Sequence, residues 1–161
     1  MQNKNIHQKN IENRSDSLSI KKKITNLKRR YDTNDPFDIA KSLGIKVIFE
    51  ELGSISGYYN KQLRMKQIHI NYNLEEHTQK FTCAHELGHA ILHPNANTPF
   101  LRSNTLLSID KLEAEANKFA MELLIPNEIL LENIYLTSEQ LSRLLGYHQK
   151  LIELRLTSFL N

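Results

Sequence analysis

Apolar residues recur along this chain in two periods, and the switches between them outline its elements. Ile20, Ile24, Leu27 and Tyr31 fall at helical spacing, which predicts a helix over roughly Leu18 to Tyr31. Asn34-Asp35-Pro36 puts a polar cap before a proline; a short helix, Phe37 to Leu43, should follow and end at Gly44. Ile45 to Phe49 is rich in β-branched and aromatic residues and reads as a strand. Gly53 and Gly57 punctuate a turn, and Gly57 to Asn60 and Gln67 to Asn71 read as two more strands. In the last of these Ile68 and Ile70 alternate with polar residues, so they share one face. Helical spacing then returns over Glu75 to His93 and over Asp110 to Ile125, each closed by a proline. Pro126 opens a further helix, Thr137-Ser138-Glu139-Gln140 caps another through Leu145, and Gly146-Tyr147 turns the chain into a last helix ending near Leu160.

These elements predict a single α+β domain. A small three-stranded, mainly antiparallel sheet should pack against helix Glu75 to His93, with further helices behind it and a helical C-terminus. Residues 1–16 are polar and aperiodic and are expected to form a flexible tail. Residues 17–136 would form the core, and 137–161 a helical pair packed on it. The Asn-, Thr- and Ser-rich stretch Pro94 to Ser108 reads as a loop, placed to wall or cover a cleft.

The helix after the strands carries His85-Glu86-Leu87-Gly88-His89, an HExxH motif. Positions i and i+4 lie nearly above one another, about 6 Å apart along the axis, so both imidazoles can reach one zinc ion. Glu86 sits beside that pair but off the ligand row, where a general base would stand. Phe81, Ala84, Leu87, Ala90, Ile91 and Leu92 make the same helix largely apolar. Burying two imidazoles and a carboxylate there is costly unless something satisfies them, and a metal would. His93 continues the row, but at about 12 Å from His85 along the axis it cannot share the ion. It reads as an outer contact of the site. Cys83 points about 200° away from His85 and reads as a small buried hydrophobe.

A third ligand is sought on the next helix, whose apolar face is Leu112, Ala116, Phe119, Ala120, Leu123 and Leu124. Helical angles nearly tie Glu113 and Glu115 as the donor. The neighbours differ. Glu113 shares its stripe with Ala116, Asn117 and Ala120, small enough to lie against the metal helix. Glu115 has Lys118 within reach and can satisfy itself in water, and Lys111, Lys118 and Glu122 look like a solvated face. Asn117, one turn beyond Glu113, is suited to orient a ligand histidine. Tyr58, Tyr59 and His69 are weak candidates for a second oxyanion donor, with strand packing as their plainer reading.

HELGH with its trailing LHP, and the run E-x-x-A-N-x-F-A-x-x-L-L-x-P from Glu113 to Pro126, resemble the ImmA/IrrE-type metallopeptidases, a zincin-like group. The resemblance covers roughly Pro36 to Leu156, and Gly57 to Asn71 is similar to the strand region that precedes the active helix in that family. It implies a cytoplasmic zinc protease, with one Zn²⁺ per chain, that cuts a repressor carrying a helix-turn-helix domain and so releases repressed genes. Carried over, the ligands fall on His85, His89 and Glu113, and the general base on Glu86.

Composition narrows the alternatives. One cysteine excludes a disulfide framework and fits a reducing compartment. No apolar run approaches a membrane span of about 18 residues, and the polar first ten residues lack the apolar stretch of a secretory signal. A net charge of +3 says little. Lys21-Lys22-Lys23 and Lys28-Arg29-Arg30 read first as the solvated face of an amphipathic helix. The last two helices have the outline of a helix-turn-helix, yet the second offers only Lys150 and Arg155 as cations, so direct nucleic-acid binding is not expected. Two rivals to a protease remain: a module that sequesters a repressor around a structural zinc, and a DNA-binding regulator.

Overall fold

The computed structural model describes residues 2–95, 98 and 106–160, and of residues 2–15, 17 and 106–109 the backbone alone. Its elements run α1 (Gln2–Tyr31), α2 (Pro36–Ser42), β1 (Lys46–Glu50), β2 (Gly57–Gln62), β3 (Met65–Asn71), α3 (Glu76–Leu92), α4 (Leu106–Leu124), α5 (Asn127–Glu132), α6 (Ser138–Leu145) and α7 (Gln149–Leu160). The architecture is α+β, with seven helices and one three-stranded sheet among the described residues. The loop expected over Pro94 to Ser108 falls mostly outside the described residues.

The sheet is mixed, which corrects the mainly antiparallel expectation. Its order is β1-β3-β2, with β2 antiparallel and β1 parallel to β3. The β2–β3 hairpin is a local feature with a tight turn at Leu63, whose φ is +58°. It places β3 in the middle, and the crossover from β1 then leaves β1 running alongside β3 in the same direction. β1 and β2 are the edge strands of the sheet, and Thr98 meets the β2 edge at Tyr59.

Ile68 and Ile70 are fully buried and share a core with Tyr59 and with Cys83, Ala84, Leu87 and Ala90 of α3. The side chains between them, including His69, turn to the opposite face, as the period of two requires. Asp35 caps α2 by accepting from the Phe37 and Asp38 backbone N–H groups at 2.8 and 3.4 Å. Helix α1 runs through the segment read as a tail. Its buried contacts among described side chains begin at Ile20 and Ile24, with Leu27 and Tyr31 packed beside them.

α3 and α4 cross closely at Gly88. A Cβ there would stand 3.2 Å from the Ala116 Cα and from Phe119. Glycine on one helix and alanine on the other let the two backbones approach, and that approach sets how far any α4 side chain must reach to meet an α3 histidine. The C-terminal helices close a second core around Met121, Ile125, Leu130, Leu141 and Ile152. At its side Arg155, only 1% exposed, donates to the Ile125 carbonyl at 2.9 Å and to Asn127 Oδ1 at 2.5 Å. It also pairs with Glu122 at 3.5 Å, and Ser158 donates to the same carboxylate. Glu122 is therefore buried rather than part of a solvated face: its partner comes from 33 residues along the chain.

Candidate metal centre

His85 and His89 project from one face of α3, and their Nε2 atoms stand 3.2 Å apart. Glu113, from α4, brings one carboxylate oxygen to 3.2 Å from His85 Nε2 and the other to 3.3 Å from His89 Nε2. One donor atom from each of these residues can be chosen so that all lie within 4.8 Å of one another. Tetrahedral ligands about 2.0–2.1 Å from a shared ion stand about 3.3 Å apart. The His85–His89 separation therefore fits a metal, and Glu113, which turns one oxygen toward each ring, is placed to complete the set.

The tautomers fit as well. His85 Nδ1 stands 3.0 Å from Asn117 Oδ1, an acceptor that favours a proton on Nδ1. In the neutral ring that a metal would bind, the Nε2 lone pair then faces the other donors. Asn117 stands one turn beyond Glu113, so one helix supplies both the carboxylate and the amide that orients the imidazole. His89 is fully buried, and its Nδ1 has no partner among the described residues.

The electrostatics follow from crowding charge into a partly buried place. Hydrogen bonds from His85 and His89 hold the Glu113 carboxyl far below its ordinary range. Burial pushes His85 down, but the Glu113 hydrogen bond and the nearby Glu86 and Glu113 charges outweigh it and leave His85 raised. Glu86, 6% exposed, is raised because burial outweighs the pull of His85 and His89. A carboxylate raised in this direction holds a proton more readily than a solvated one.

Other sequence candidates stand elsewhere. His93 Nε2 lies 3.1 Å from Glu115 Oε2 but too obliquely for a hydrogen bond, beside rather than within the donor triangle. Tyr59 is fully buried, and its hydroxyl donates to the Pro94 carbonyl at 3.1 Å. Tyr58 stacks on His69 at 4.3 Å on the sheet face turned away from α3, where His69 Nδ1 meets Glu50 at 2.5 Å. None of the three side chains joins the metal-type cluster. Sequence reasoning missed Thr98. Its hydroxyl accepts from the Tyr59 N–H at 2.7 Å and stands 3.1 Å from the Tyr59 carbonyl and 3.4 Å from Glu86 Oε2. Nothing in the aperiodic stretch around it signals that role.

Fold and site together define an α+β protein with a partly buried three-donor cluster on two crossing helices and a buried carboxylate beside it. Comparison with known proteins gives the class its family. Residues 40–156 match the model of a peptidase family described as the IrrE N-terminal-like domain. The chain is 46% identical over 121 residues to an uncharacterized immunity region protein 2 of Bacillus phage phi105, covering 74% of this chain and 77% of that one. It is 35% identical over 118 residues to metallopeptidase ImmA of Bacillus subtilis (strain 168), covering 72% and 69%. The chain belongs to the ImmA/IrrE-type metallopeptidase family. No helix among the described residues is long and apolar enough to cross a membrane.

Proposed function

We propose that this protein is a zinc endopeptidase of zincin-like fold that cuts a helix-turn-helix repressor in the cytoplasm and so relieves repression. The observation that carries the reading is the convergence of His85, His89 and Glu113 donor atoms beside the buried Glu86 carboxylate. In this reading residues 17–136 form the catalytic core and residues 137–161 brace it. His85, His89 and Glu113 hold one zinc ion. When bound, the metal supplies Lewis acidity to the scissile carbonyl and lowers the pKa of water at its open position. Glu86 takes a proton from the attacking water, and passes it to the amide nitrogen as the C–N bond breaks. Burial raises its proton affinity above that of a solvated carboxylate, the direction that both transfers favour. Asn117 fixes the His85 ring so that Nε2 faces the ion.

A protein substrate fits the edge of the sheet. The Tyr59 N–H and C=O point outward from β2 and meet a single threonine hydroxyl. An extended peptide would offer both hydrogen bonds from its own backbone and would lie beside Glu86. The repressor rests on the family and on the relative from a phage immunity region.

The test is incubation of the zinc-loaded protein with a repressor encoded beside its gene, read by mass spectrometry. One or a few cleavage sites are expected. Glu86→Gln should keep the metal and slow cleavage by about 10²–10⁴-fold. Undiminished cleavage by that variant removes Glu86 as the base, and an intact repressor with the wild-type protein overturns the assigned substrate.

A further inference from the structure

On the far side of α4 from the metal centre lies a cavity of 500 Å³ between α1, the start of α5 and α7. Small-molecule sites have volumes of about 300–1,000 Å³. Lys21, Lys28, Arg29 and Arg155 line it, against the carboxylates of Glu122 and Glu128. Four cations against two anions leave a formal excess of two positive charges.

The cations are not equally committed. Arg155 is tied to Glu122, Asn127 and the Ile125 carbonyl, and Lys21 donates to the Ser158 carbonyl. Arg29 spends one donor on Asn26 at 3.3 Å, leaving most of its guanidinium free. Lys28 is half-buried, and its ammonium makes no hydrogen bond or close ion pair among the described residues. Burial, aided by the Arg155 charge, pushes its ammonium down from the ordinary lysine value and outweighs the pull of Glu128 and Glu122. Ile24 and Pro126 give the same cavity apolar wall.

We propose that this cavity binds a small phosphorylated molecule, its phosphate held by Lys28, Arg29 and the free donors of Lys21. Phosphate oxygens match ammonium and guanidinium donors through charge-assisted hydrogen bonds. Free phosphate would fill only part of the space; a mononucleotide-sized ligand would also use the apolar wall. The site is separate from the metal centre: Glu122 follows Glu113 on α4 by about 13 Å along the helix axis. It is independent of whether the protein cleaves anything.

Calorimetric titration of the full chain with inorganic phosphate, AMP and adenosine at constant ionic strength tests it. Saturable binding of phosphate, tighter binding of AMP and no binding of adenosine are expected. Phosphate and AMP binding equally would name free phosphate as the source and still support the site. Lys28→Gln should weaken phosphate and AMP by about tenfold or more, the loss of one charge-assisted bond. Arg29→Gln, at an exposed position, should weaken them also and guards against misfolding of the first variant. Lys150→Gln should change nothing. Binding of neither phosphate compound overturns the proposal. So does binding that survives both Lys28→Gln and Arg29→Gln, since that binding belongs to the metal centre or to bulk charge.

Discussion

Two groups of histidine and carboxylate stand on opposite sides of the same sheet, and they differ in what they leave unsatisfied. On the outer face His69 gives Nδ1 to Glu50, and Tyr58 stacks on the ring while its hydroxyl reaches the same carboxylate at 3.4 Å. Each contact is pairwise, and no third donor approaches His69 Nε2 among the described residues. On the inner side His85, His89 and Glu113 aim their donors at one another's midst, at 3.2, 3.2 and 3.3 Å. Residue types are alike in the two groups; convergence is what differs. In a strand, alternation lets one imidazole per face meet its cross-strand neighbours. On a helix the four-residue repeat brings two imidazoles to one point, and a crossing helix adds the third group.

The sharpest way to break the comparison is to exchange carboxylate for amide in each group. Glu113→Gln should lower zinc affinity by more than the about 10–100-fold that an orienting partner is worth. Glu50→Gln should leave zinc affinity unchanged and show only as a shift in melting temperature. Competitive titration against a chelating dye reads both. Equal losses would mean that the outer cluster shapes the inner one, and the distinction would collapse.

Much of this was legible in the sequence, and the parts that were not share a cause. His85, His89 and Glu86 follow from local periodicity, because one helix fixes their relation. The meeting of Glu113 with them was readable less directly, from Ala116 and Ala120 on the same stripe. Gly88, opposite Ala116 and Phe119, is the other half of that close approach. What escaped depends on contacts between distant segments. Thr98 meets Tyr59 across 39 residues with no pattern to mark it. Glu122 was read as solvated because its partner, Arg155, lies on another helix. The direction of β1 was hidden for the same reason: a hairpin announces itself locally, and a crossover does not.

A finer test concerns orientation within the converging group. Asn117 Oδ1, 3.0 Å from His85 Nδ1, favours the tautomer that exposes Nε2. Asn117→Ala should cost about 10–100-fold in zinc affinity, the usual worth of such a partner. Asn117→Asp should recover much of the loss, since a carboxylate oxygen accepts from Nδ1–H at least as well. Removing the stacking partner by Tyr58→Leu should leave zinc affinity as it is. If Asn117→Ala binds zinc like the wild type, packing alone orients the ring.

The smallest effect belongs to a third histidine and carboxylate, His93 and Glu115, which lie at the border of the inner group. Glu115→Gln should leave zinc affinity within about twofold, because its carboxylate faces His93 and Lys111 rather than the donors of His85, His89 and Glu113. His93 matters to stability instead. Burial, aided by the charges of His89 and Lys111, holds its imidazole at about 4. In the unfolded chain it should titrate near 6.5. The unfolded state then binds more protons between those values, so stability is full above about 6.5 and falls as pH drops toward 4. His93→Gln, measured by urea denaturation in chelator, should flatten that part of the profile by roughly 1–3 kcal/mol. Chelation removes the proton linkage of metal binding from the comparison, so the difference between the two profiles isolates His93. A variant whose stability falls as steeply as the wild type over pH 4–6.5 would show that His93 keeps its ordinary proton affinity, and that Glu115 acts on it as a true ion-pair partner.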